Sequence, residues 1–186
     1  MATEKKSTAI KALYEWVETF LFALTAVVLI FTFAVKFVTV SGDSMRETFH
    51  NGDRLIISSL PYTPEAGDVV VVDVSHNLEE FGYASGSPYI KRVIATEGQT
   101  VNIDPLNWKV YVDGVALDEP YVFKINNYPM TKGTIDYPYT VSEGCVFVMG
   151  DNRNGSSDSR VLGEIEAKYI LGKVIFRLMP NFGVIK

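Results

Sequence analysis

The sequence predicts a mainly β protein, in which a single N-terminal transmembrane helix precedes an antiparallel β-rich domain. The first 40 residues contain one apolar run that is long enough to cross a bilayer as a helix. After that point the chain breaks into short β-branched and aromatic segments of strand length. Clusters of glycine, asparagine, aspartate and proline separate these segments, as is typical of strands connected by turns.

The transmembrane helix is predicted over residues 19–40, after a short N-terminal tail at 1–18. At about 1.5 Å per residue this segment spans roughly 33 Å, about one hydrocarbon core. Lys36 can extend its stem to the headgroups, and Tyr14 and Trp16 suit the opposite interface. The alternative is a cleaved secretory signal, but the apolar core is longer than the roughly 7–15 residues typical of one. The flanking positive charges are nearly balanced, so they leave the orientation open.

The β-rich domain is predicted over residues 41–186, with Asp113 and Gly114 at the tip of a hairpin. We expect one short helix around Glu164–Tyr169 and surface loops at 75–87 and 124–139. The predicted strand segments are DRLIISS (53–59), DVVVVDV (68–74), PYIKRVIAT (88–96), WKVYVDG (108–114), CVFVMG (145–150) and KVIFRLM (173–179).

Composition excludes several classes of function. A formal net charge of −5 argues against a nucleic-acid-binding protein, which usually has a basic face. The single cysteine, Cys145, can form neither an internal disulfide nor a cysteine-based zinc site, and we interpret it as a core residue. The only histidines are His50 and His76, so a histidine-rich metal site is disfavoured. We therefore expect no metal, no cofactor and no nucleic-acid partner.

Ser44 is a candidate nucleophile, because the stretch SGDSMRETF (41–49) follows the apolar run directly. A serine nucleophile needs a base within hydrogen-bond reach and donors for the developing oxyanion. His50 and His76 both lie in polar turn sequences, which are more typical of exposed histidines.

Lysine is the other candidate base. At an ordinary pKa near 10.4, only about one amine in 2500 is neutral at pH 7, but burial can lower a lysine pKa by 3–5 units. Lys91 lies in the apolar segment YIKRVIA. Strand alternation leaves open whether Lys91 or Arg92 points inward, but arginine cannot be deprotonated, so only Lys91 could serve as the base. The alternative is an ordinary surface lysine on a strand.

The stretch GDNRNGSSDSR (150–160) is a third unusual feature. Its ordinary interpretation is a hydroxyl-rich turn, and it fails the calcium-loop pattern. A buried neutral lysine needs a hydroxyl to orient its lone pair, for which Ser156, Ser157 and Ser159 are candidates. Asp158 and Arg160 could form an ion pair that holds the loop.

The order of apolar run, SGDSM, GDVVVV, YIKRVIA, LDEPYV and GDNRNGSSDSR closely resembles the type I signal peptidases, over essentially the whole chain. These are membrane-bound serine proteases with a β-rich catalytic domain that lies on the bilayer. The most specific family motif, GDNRxxSxDSR, is matched by Gly150, Asp151, Asn152, Arg153, Ser156, Asp158, Ser159 and Arg160.

The resemblance implies a role for each matching site residue. Ser44 would be the nucleophile, with its N–H stabilising the oxyanion, and Lys91 would be the general base. Ser156 would orient the lysine amine, while Asp158 and Arg160 would support the loop.

The chain departs from the family pattern at three places. Gly42 replaces the hydroxyl residue that some relatives carry two positions before the nucleophile, so a second oxyanion donor must come from elsewhere. Glu47 replaces a proline, and the turn at 95–99 reads ATEGQ. Beside the nucleophile, Met45 is interpreted as lining a shallow substrate pocket, with a buried turn methionine as the alternative.

The function implied is removal of N-terminal signal peptides from exported proteins, with small side chains at the first and third positions before the cut (Ala-x-Ala). Signal peptides and membrane lipid would be its partners, and the protein would act as a monomer. The catalytic domain would lie on the extracytoplasmic side of the cell membrane. A non-catalytic, membrane-anchored β-domain that binds a protein partner is the alternative. A self-cleaving regulator with the same dyad would need a DNA-binding module, which this acidic chain lacks.

Overall fold

The computed structural model describes residues 2–73, 88–125 and 127–185, with side chains described from residue 10 onward. The predicted loop at 75–87, with His76, and the last residue of the predicted strand segment 68–74 lie outside the described residues.

The chain begins with a long helix, α1 (Ala2–Ala34). Within it, Ile10–Ala34 is long and apolar enough to cross a membrane. Its large apolar side chains are exposed rather than packed on the protein, as in Phe22 at 80% and Trp16 at 77%. Such a helix needs an apolar surrounding, so the expected N-terminal helix that could span a bilayer is confirmed.

The helix differs from the predicted range 19–40 at both ends, and the bounds of its membrane-spanning part stay a prediction. The helix includes most of the predicted tail, and residues Val35–Thr39 form a strand, β1. An apolar run does not by itself distinguish helix from strand, and the β-branched residues in VKFVT favour a strand. Pairing of β1 with the next strand satisfies its backbone outside the helix.

The strands form two antiparallel sheets, as expected. Within the described residues they are β1 (Val35–Thr39), β2 (Arg54–Ser58), β3 (Val69–Val72), β4 (Tyr89–Thr96), β5 (Thr100–Asp104), β6 (Lys109–Val112), β7 (Val115–Ala116), β8 (Tyr139–Thr140), β9 (Cys145–Met149), β10 (Ile165–Glu166), β11 (Ile170–Met179) and β12 (Gly183–Val184). The large sheet has the order β1-β2-β11-β3-β4-β9-β10, with β12 paired to β11. The small sheet has the order β7-β6-β5-β8.

Each of the six predicted strand segments contains a strand, and the predicted hairpin links β6 and β7. Asp113 and Gly114 have φ angles of 51° and 78°, as a type I′ turn requires. The short helix expected around Glu164–Tyr169 is a single 3₁₀ turn at Ala167–Tyr169, and the first part of this segment contains β10. A short α-helix, α2 (Ser159–Leu162), and another 3₁₀ turn (Arg153–Gly155) lie just before it.

Strand β4 organises the site, because it is central in the large sheet and buried on both faces. Its six inner residues are all buried. Lys91 and Arg92 therefore point to opposite faces and both lie inside the protein, 4% and 3% exposed. The question of which one points inward has no single answer, since each face of β4 is covered.

A glycine in β11 allows β2 and β11 to approach closely. A Cβ added at Gly172 would lie 2.3 Å from the carbonyl oxygen of Ser58. We expect Gly172→Ala to lower the free energy of unfolding by about 1–3 kcal/mol, because the backbone must separate to admit the methyl group. Gly183→Ala in β12 is the matched control, since a Cβ there meets nothing within 4 Å. Denaturant unfolding in detergent, followed by tryptophan fluorescence, measures both; equal effects would contradict the steric account.

Candidate active site

Ser44 lies in a turn whose neighbouring apolar side chains pack into the protein core. The N–H of Arg46 donates to the Asp43 carbonyl at 3.1 Å, and the N–H of Phe49 donates to the Met45 carbonyl at 2.7 Å. The side chains of Met45 and Phe49 are 1% and 0% exposed and pack in the core beside β2 and β3. The turn is thereby anchored, while Ser44 itself remains half-buried at the surface.

Lys91 reaches Ser44 from within the sheet. Its Nζ donates to Ser44 Oγ at 2.9 Å and to the Ile90 carbonyl at 3.0 Å. The ring of Tyr89, which shares a face of β4 with Lys91, has its centroid 5.0 Å from the amine. The hydroxyl and the amine are therefore within proton-transfer distance, 47 residues apart in sequence.

Burial lowers the pKa of Lys91 to about 8. Removal of the amine from water is the largest cause; the negative charges of Asp158 and Asp151 oppose it, and the positive charge of Arg160 adds to it. Desolvation thus outweighs the neighbouring carboxylates. At pH 7, roughly a tenth of such amines are neutral, against about one in 2500 for an ordinary lysine.

On the opposite face of β4, Arg92 links three parts of the site. Its guanidinium donates to both oxygens of Asp151, at 3.0 and 2.8 Å, and to the Gly67 carbonyl at 2.9 Å. It also stacks on the ring of Tyr121, 3.9 Å from the centroid. The Thr48 hydroxyl donates to the same carboxylate of Asp151. This buried ion pair therefore joins β4, the loop that carries Ser44 and Thr48, and the 150–160 segment.

Asp158 and Arg160 form a second buried ion pair, with guanidinium–carboxylate distances of 2.8 and 2.7 Å. Asp158 also accepts the Gly150 N–H at 2.9 Å, and Ser159 Oγ accepts the Val148 N–H at 2.9 Å. Burial alone would raise the pKa of Asp158, but the hydrogen bonds and charge of Arg160 outweigh it and leave the pKa below its usual value. The pair fixes the segment against the end of β9.

Ser156 does not make the bond expected of it. Its Oγ is buried but has no hydrogen-bond partner, and the carbonyl of Ile90 holds the Lys91 amine instead. The hydroxyl approaches Asp158 closely enough to help lower the pKa of that carboxyl, without completing a hydrogen bond. The structure thus places Ser156 in the site, but not on the amine.

Gly150 is a site residue to which the sequence reasoning gave no role. A Cβ at this position would lie 2.3 Å from Ser156 Oγ and 2.5 Å from the Ser44 carbonyl oxygen. Only glycine therefore lets the 150–160 segment pack against the loop that carries Ser44, where the Asn152 N–H donates to the Ser44 carbonyl at 3.0 Å. The sequence signal that could have identified this role is the glycine that begins the GDNR motif, Gly150 itself.

Arg153 was also missed as a structural residue. It is 1% exposed, its Nε donates to the Gly150 carbonyl at 3.2 Å, and its guanidinium pairs with Glu119. Glu119 comes from the LDEPYV stretch, so this pair ties the 117–122 segment to the loop. The sequence alone could not show that Arg153 pairs with Glu119.

The N–H of Ser44 has no acceptor among the described residues and is free to meet an oxyanion. At Gly42 the backbone has a φ of 86°, a region that a residue with a side chain enters only at a cost. Its N–H donates to Asn51 Oδ1 at 3.1 Å. The loop shape therefore accounts for glycine at this position.

The pocket-lining role of Met45 stays a prediction, and its burial agrees with the alternative of a buried turn methionine. Its side chain is 1% exposed and packs with Phe49 and Leu55, so it supports the loop from inside the core. Glu47 has a φ of 83°, which a proline at this position could not adopt. His50 is exposed, and no side-chain hydrogen bond joins it to Ser44 in the described part of the chain.

The altered turn at 95–99 is held by its own contacts. Gln99 Oε1 accepts the Thr96 N–H at 2.9 Å, and Gly98 supplies a φ of 77°. Glu97 accepts the Gly144 N–H at 2.8 Å.

Over the ranges that the structure describes, no group of three or more His, Cys, Asp and Glu is arranged to hold a metal ion.

We expect Asp158→Asn to lower the free energy of unfolding by about 3–5 kcal/mol, because it leaves the buried Arg160 guanidinium without a counter-charge. Glu166→Gln is the matched control: its partner is Lys168 on the surface, and the unfolding midpoint should barely move. Thermal unfolding of the two variants measures the difference. Similar small shifts in both would contradict the importance assigned to the buried pair.

Comparison with known proteins identifies the family. The family model for the signal peptidases, peptidase S26, matches residues 13–179. The chain is 38% identical to a probable signal peptidase I-1 of Synechocystis sp. over 85% of this chain and 78% of that protein. It is 36% identical to a signal peptidase I of Bacillus licheniformis, over 96% of this chain and 95% of that protein.

Two further matches have lower sequence identity. A signal peptidase IB of Staphylococcus aureus is 31% identical over 91% of each chain. The crystal structure of a signal peptidase I from Enterococcus faecalis aligns with a TM-score of 0.46 and 30% identity, over 60% of this chain and 97% of that chain. Because the family match covers most of the sequence and the closer relatives align along most of their own length, this chain belongs to the signal peptidase family, peptidase S26, and is a hydrolase of peptide bonds.

Proposed function

We propose that this protein is a membrane-anchored serine endopeptidase that removes signal peptides from exported proteins, with Ser44 as nucleophile and Lys91 as general base. The observation that carries the proposal is the 2.9 Å hydrogen bond between Lys91 Nζ and Ser44 Oγ, made by an amine that is 4% exposed. The names of the relatives support the substrate class.

In the first half of the reaction, the neutral amine of Lys91 takes the hydroxyl proton of Ser44 as Oγ attacks the scissile carbonyl carbon. The developing oxyanion accepts a hydrogen bond from the free N–H of Ser44. When the tetrahedral intermediate collapses, the carbon–nitrogen bond breaks and the protonated Lys91 gives its proton to the leaving amine. The products are an ester on Ser44 and the released mature protein.

In the second half, water occupies the place of the departed amine. Lys91, neutral again, takes a proton from this water as the oxygen attacks the ester carbon. The ester bond breaks, Ser44 Oγ recovers the proton from Lys91, and the signal peptide leaves with a free carboxylate. The base thus ends each cycle in the state in which it began.

The lowered pKa of Lys91 makes the neutral amine available near neutral pH. With a pKa of about 8, deprotonation at pH 7 costs roughly 1.4 kcal/mol, against roughly 4.6 kcal/mol for an ordinary lysine. The difference of about 3 kcal/mol in the free energy of deprotonation corresponds to a more than hundredfold larger fraction of neutral amine.

An open strand edge beside the dyad supports binding of an extended peptide. Residues Tyr89–Arg92 of β4 pair with β3 on one edge, but on the other edge β9 pairs only from Arg92 onward. Within the described residues, the edge at Tyr89–Lys91 that faces away from β3 has no strand partner. A substrate could add here as a further strand, which would fix the scissile bond by its backbone.

The position of the site supports action at a membrane surface. Ser44 follows the end of α1 by only the five residues of β1 and a short loop. Exposed apolar side chains lie on the same part of the large sheet, among them Phe37 at 72% and Phe182 at 72%. We infer that α1 spans the membrane and that the β-domain rests against the bilayer on the extracytoplasmic side, where signal peptides emerge.

Cleavage of a synthetic signal peptide with an Ala-x-Ala site tests the proposal. The purified protein should cut after the second alanine, and Ser44→Ala and Lys91→Arg should each lower the rate by at least about a thousandfold. Arginine keeps the positive charge but cannot act as a base at accessible pH. Lys109→Arg, an exposed lysine on β6, is the matched control and should retain full activity.

Thermal unfolding shows whether the inactive variants remain folded. Lys91→Arg with more than a tenth of the wild-type rate would exclude the lysine base. Peptide binding without cleavage by the wild-type protein would instead favour the non-catalytic binding domain.

A further inference from the structure

The segment Tyr121–Ile125 runs from the active site to the small sheet. Its start is fixed by Tyr121, on which the Arg92 guanidinium stacks. Farther along, the Phe123 N–H donates to the Asp151 carbonyl at 3.0 Å, and Phe123 pairs with Asn152 in a parallel bridge. Because Asn152 in turn bonds the Ser44 carbonyl, three backbone segments lie side by side, from the nucleophile to Phe123.

The surface over these segments is formed by an aromatic ring and a cation. The Arg46 guanidinium lies 4.6 Å from the centroid of the Phe123 ring. Arg46 is exposed and stands two residues after Ser44. A peptide that leaves Ser44 in this direction therefore crosses the Arg46–Phe123 pair before it meets Ile125.

Beyond Phe123 the surface opens into a groove, here called the side groove. Exposed apolar groups dominate it, with Leu106 at 81%, Tyr128 at 67% and Ile125 at 40% exposure. Its walls are fixed, because Trp108 Nε1 donates to the Tyr128 carbonyl at 2.8 Å and Asp104 holds the 104–107 turn through the N–H groups of Leu106 and Asn107. The lining residues are Leu106, Trp108, Lys124, Ile125, Asn127, Tyr128 and Pro129. An exposed apolar groove of this kind is typical of a binding surface.

We propose that the side groove binds the mature segment of the substrate, the part downstream of the cut; this rests on the proposed function. From Ser44 to Ile125 the path crosses two strand spacings of about 4.8 Å and then two residues of about 3.3 Å, roughly 16 Å in all. An extended peptide covers that distance in about five residues. The groove therefore accepts an apolar or aromatic side chain near the fifth position after the scissile bond.

The sheet order gives the direction of the peptide. The apolar part of a signal peptide belongs in the bilayer with α1, and β1 continues directly from α1. In the large sheet, β2, β11 and β3 separate β1 from β4, and the small sheet is joined to the far side through β4 and β9. With the residues before the cut at the open edge of residues 89–91, the chain of contacts from Ser44 to Phe123 gives the mature segment a path over Arg46 and Phe123 to the side groove.

Charge adds a second preference to the same path. Arg46 and Lys124 are both exposed cations beside the route, one before and one after Phe123. Acidic side chains in the first few mature residues are favoured there, and basic ones are disfavoured. This preference weakens at high salt, whereas the apolar preference does not.

Two substrates that differ at one position test the proposal. Each is a signal peptide with an Ala-x-Ala site and eight mature residues; one carries leucine at the fifth mature position and the other carries serine. Wild-type protein should show kcat/KM about tenfold higher for the leucine substrate, mainly through KM. In the double variant Leu106→Ser/Tyr128→Ser this ratio should fall to about one. Val115→Ser is the matched control: Val115 is 69% exposed on the small sheet but outside the groove, so the ratio should remain at the wild-type value.

Each other outcome has a defined meaning. A wild-type ratio near one, or a double variant that retains the tenfold ratio, overturns the proposal while leaving the cleavage function intact. Failure of the wild-type protein to cut either substrate overturns the proposed function and, with it, this inference. If the double variant keeps the ratio but loses self-association in sedimentation, the groove belongs to a second copy of the chain. If it keeps the ratio but loses vesicle binding, the groove belongs to lipid.

Discussion

The site depends on the burial of one amine against one hydroxyl. Lys91 is 4% exposed, and its hydrogen bond to Ser44 Oγ is 2.9 Å long. Removal of this amine from water opposes its charged form, and the attraction of the nearby carboxylates only partly offsets that effect, so its pKa falls to about 8. A more exposed lysine would keep its proton, and a fully isolated one would have no route to the hydroxyl. The fold must therefore hide the amine and still leave Ser44 at the surface.

Three constraints achieve this arrangement. The central position of β4 buries both of its faces, so that Lys91 points to the nucleophile and Arg92 pairs with Asp151 behind it. The Asp158–Arg160 pair holds the 150–160 segment against β9. Gly150, which has no side chain, lets that segment approach the Ser44 carbonyl. Each constraint acts on the position or environment of the amine–hydroxyl pair and not on the chemistry itself.

Much of the fold could be predicted from the sequence, because turn residues and β-branched segments are local signals. The six predicted strand segments and the Asp113–Gly114 hairpin are of this kind. The end of the N-terminal helix could not be predicted, because residues 35–39 continue the apolar run and their β-branched residues are a weak signal until they pair with β2. The choice between Lys91 and Arg92 was likewise undecidable, because alternation cannot show that both faces of β4 are covered.

Within the site, residue type indicated which side chains lie together better than it indicated the contacts that each of them makes. Only lysine could act as a base at this strand, and the structure brings Lys91 to Ser44. Met45 was assigned to a pocket because of its place beside the nucleophile, but its side chain turns into the core. For Ser156, the sequence indicated a hydroxyl near the amine, yet the Ile90 carbonyl makes that bond. Such pairings depend on rotamers and loop packing, which have no sequence pattern.

Direct titration of the Lys91 amine tests most directly whether burial lowers its pKa. In protein labelled with carbon-13 at the lysine Cε, the signal of Lys91 can be assigned by its loss in Lys91→Arg and followed by NMR from pH 6 to 11. We expect a titration midpoint near pH 8 for the Lys91 amine, whereas ordinary exposed lysines titrate near 10.4. A midpoint for Lys91 above about 10 would mean that burial does not neutralise the amine, and the lysine-base mechanism would be wrong.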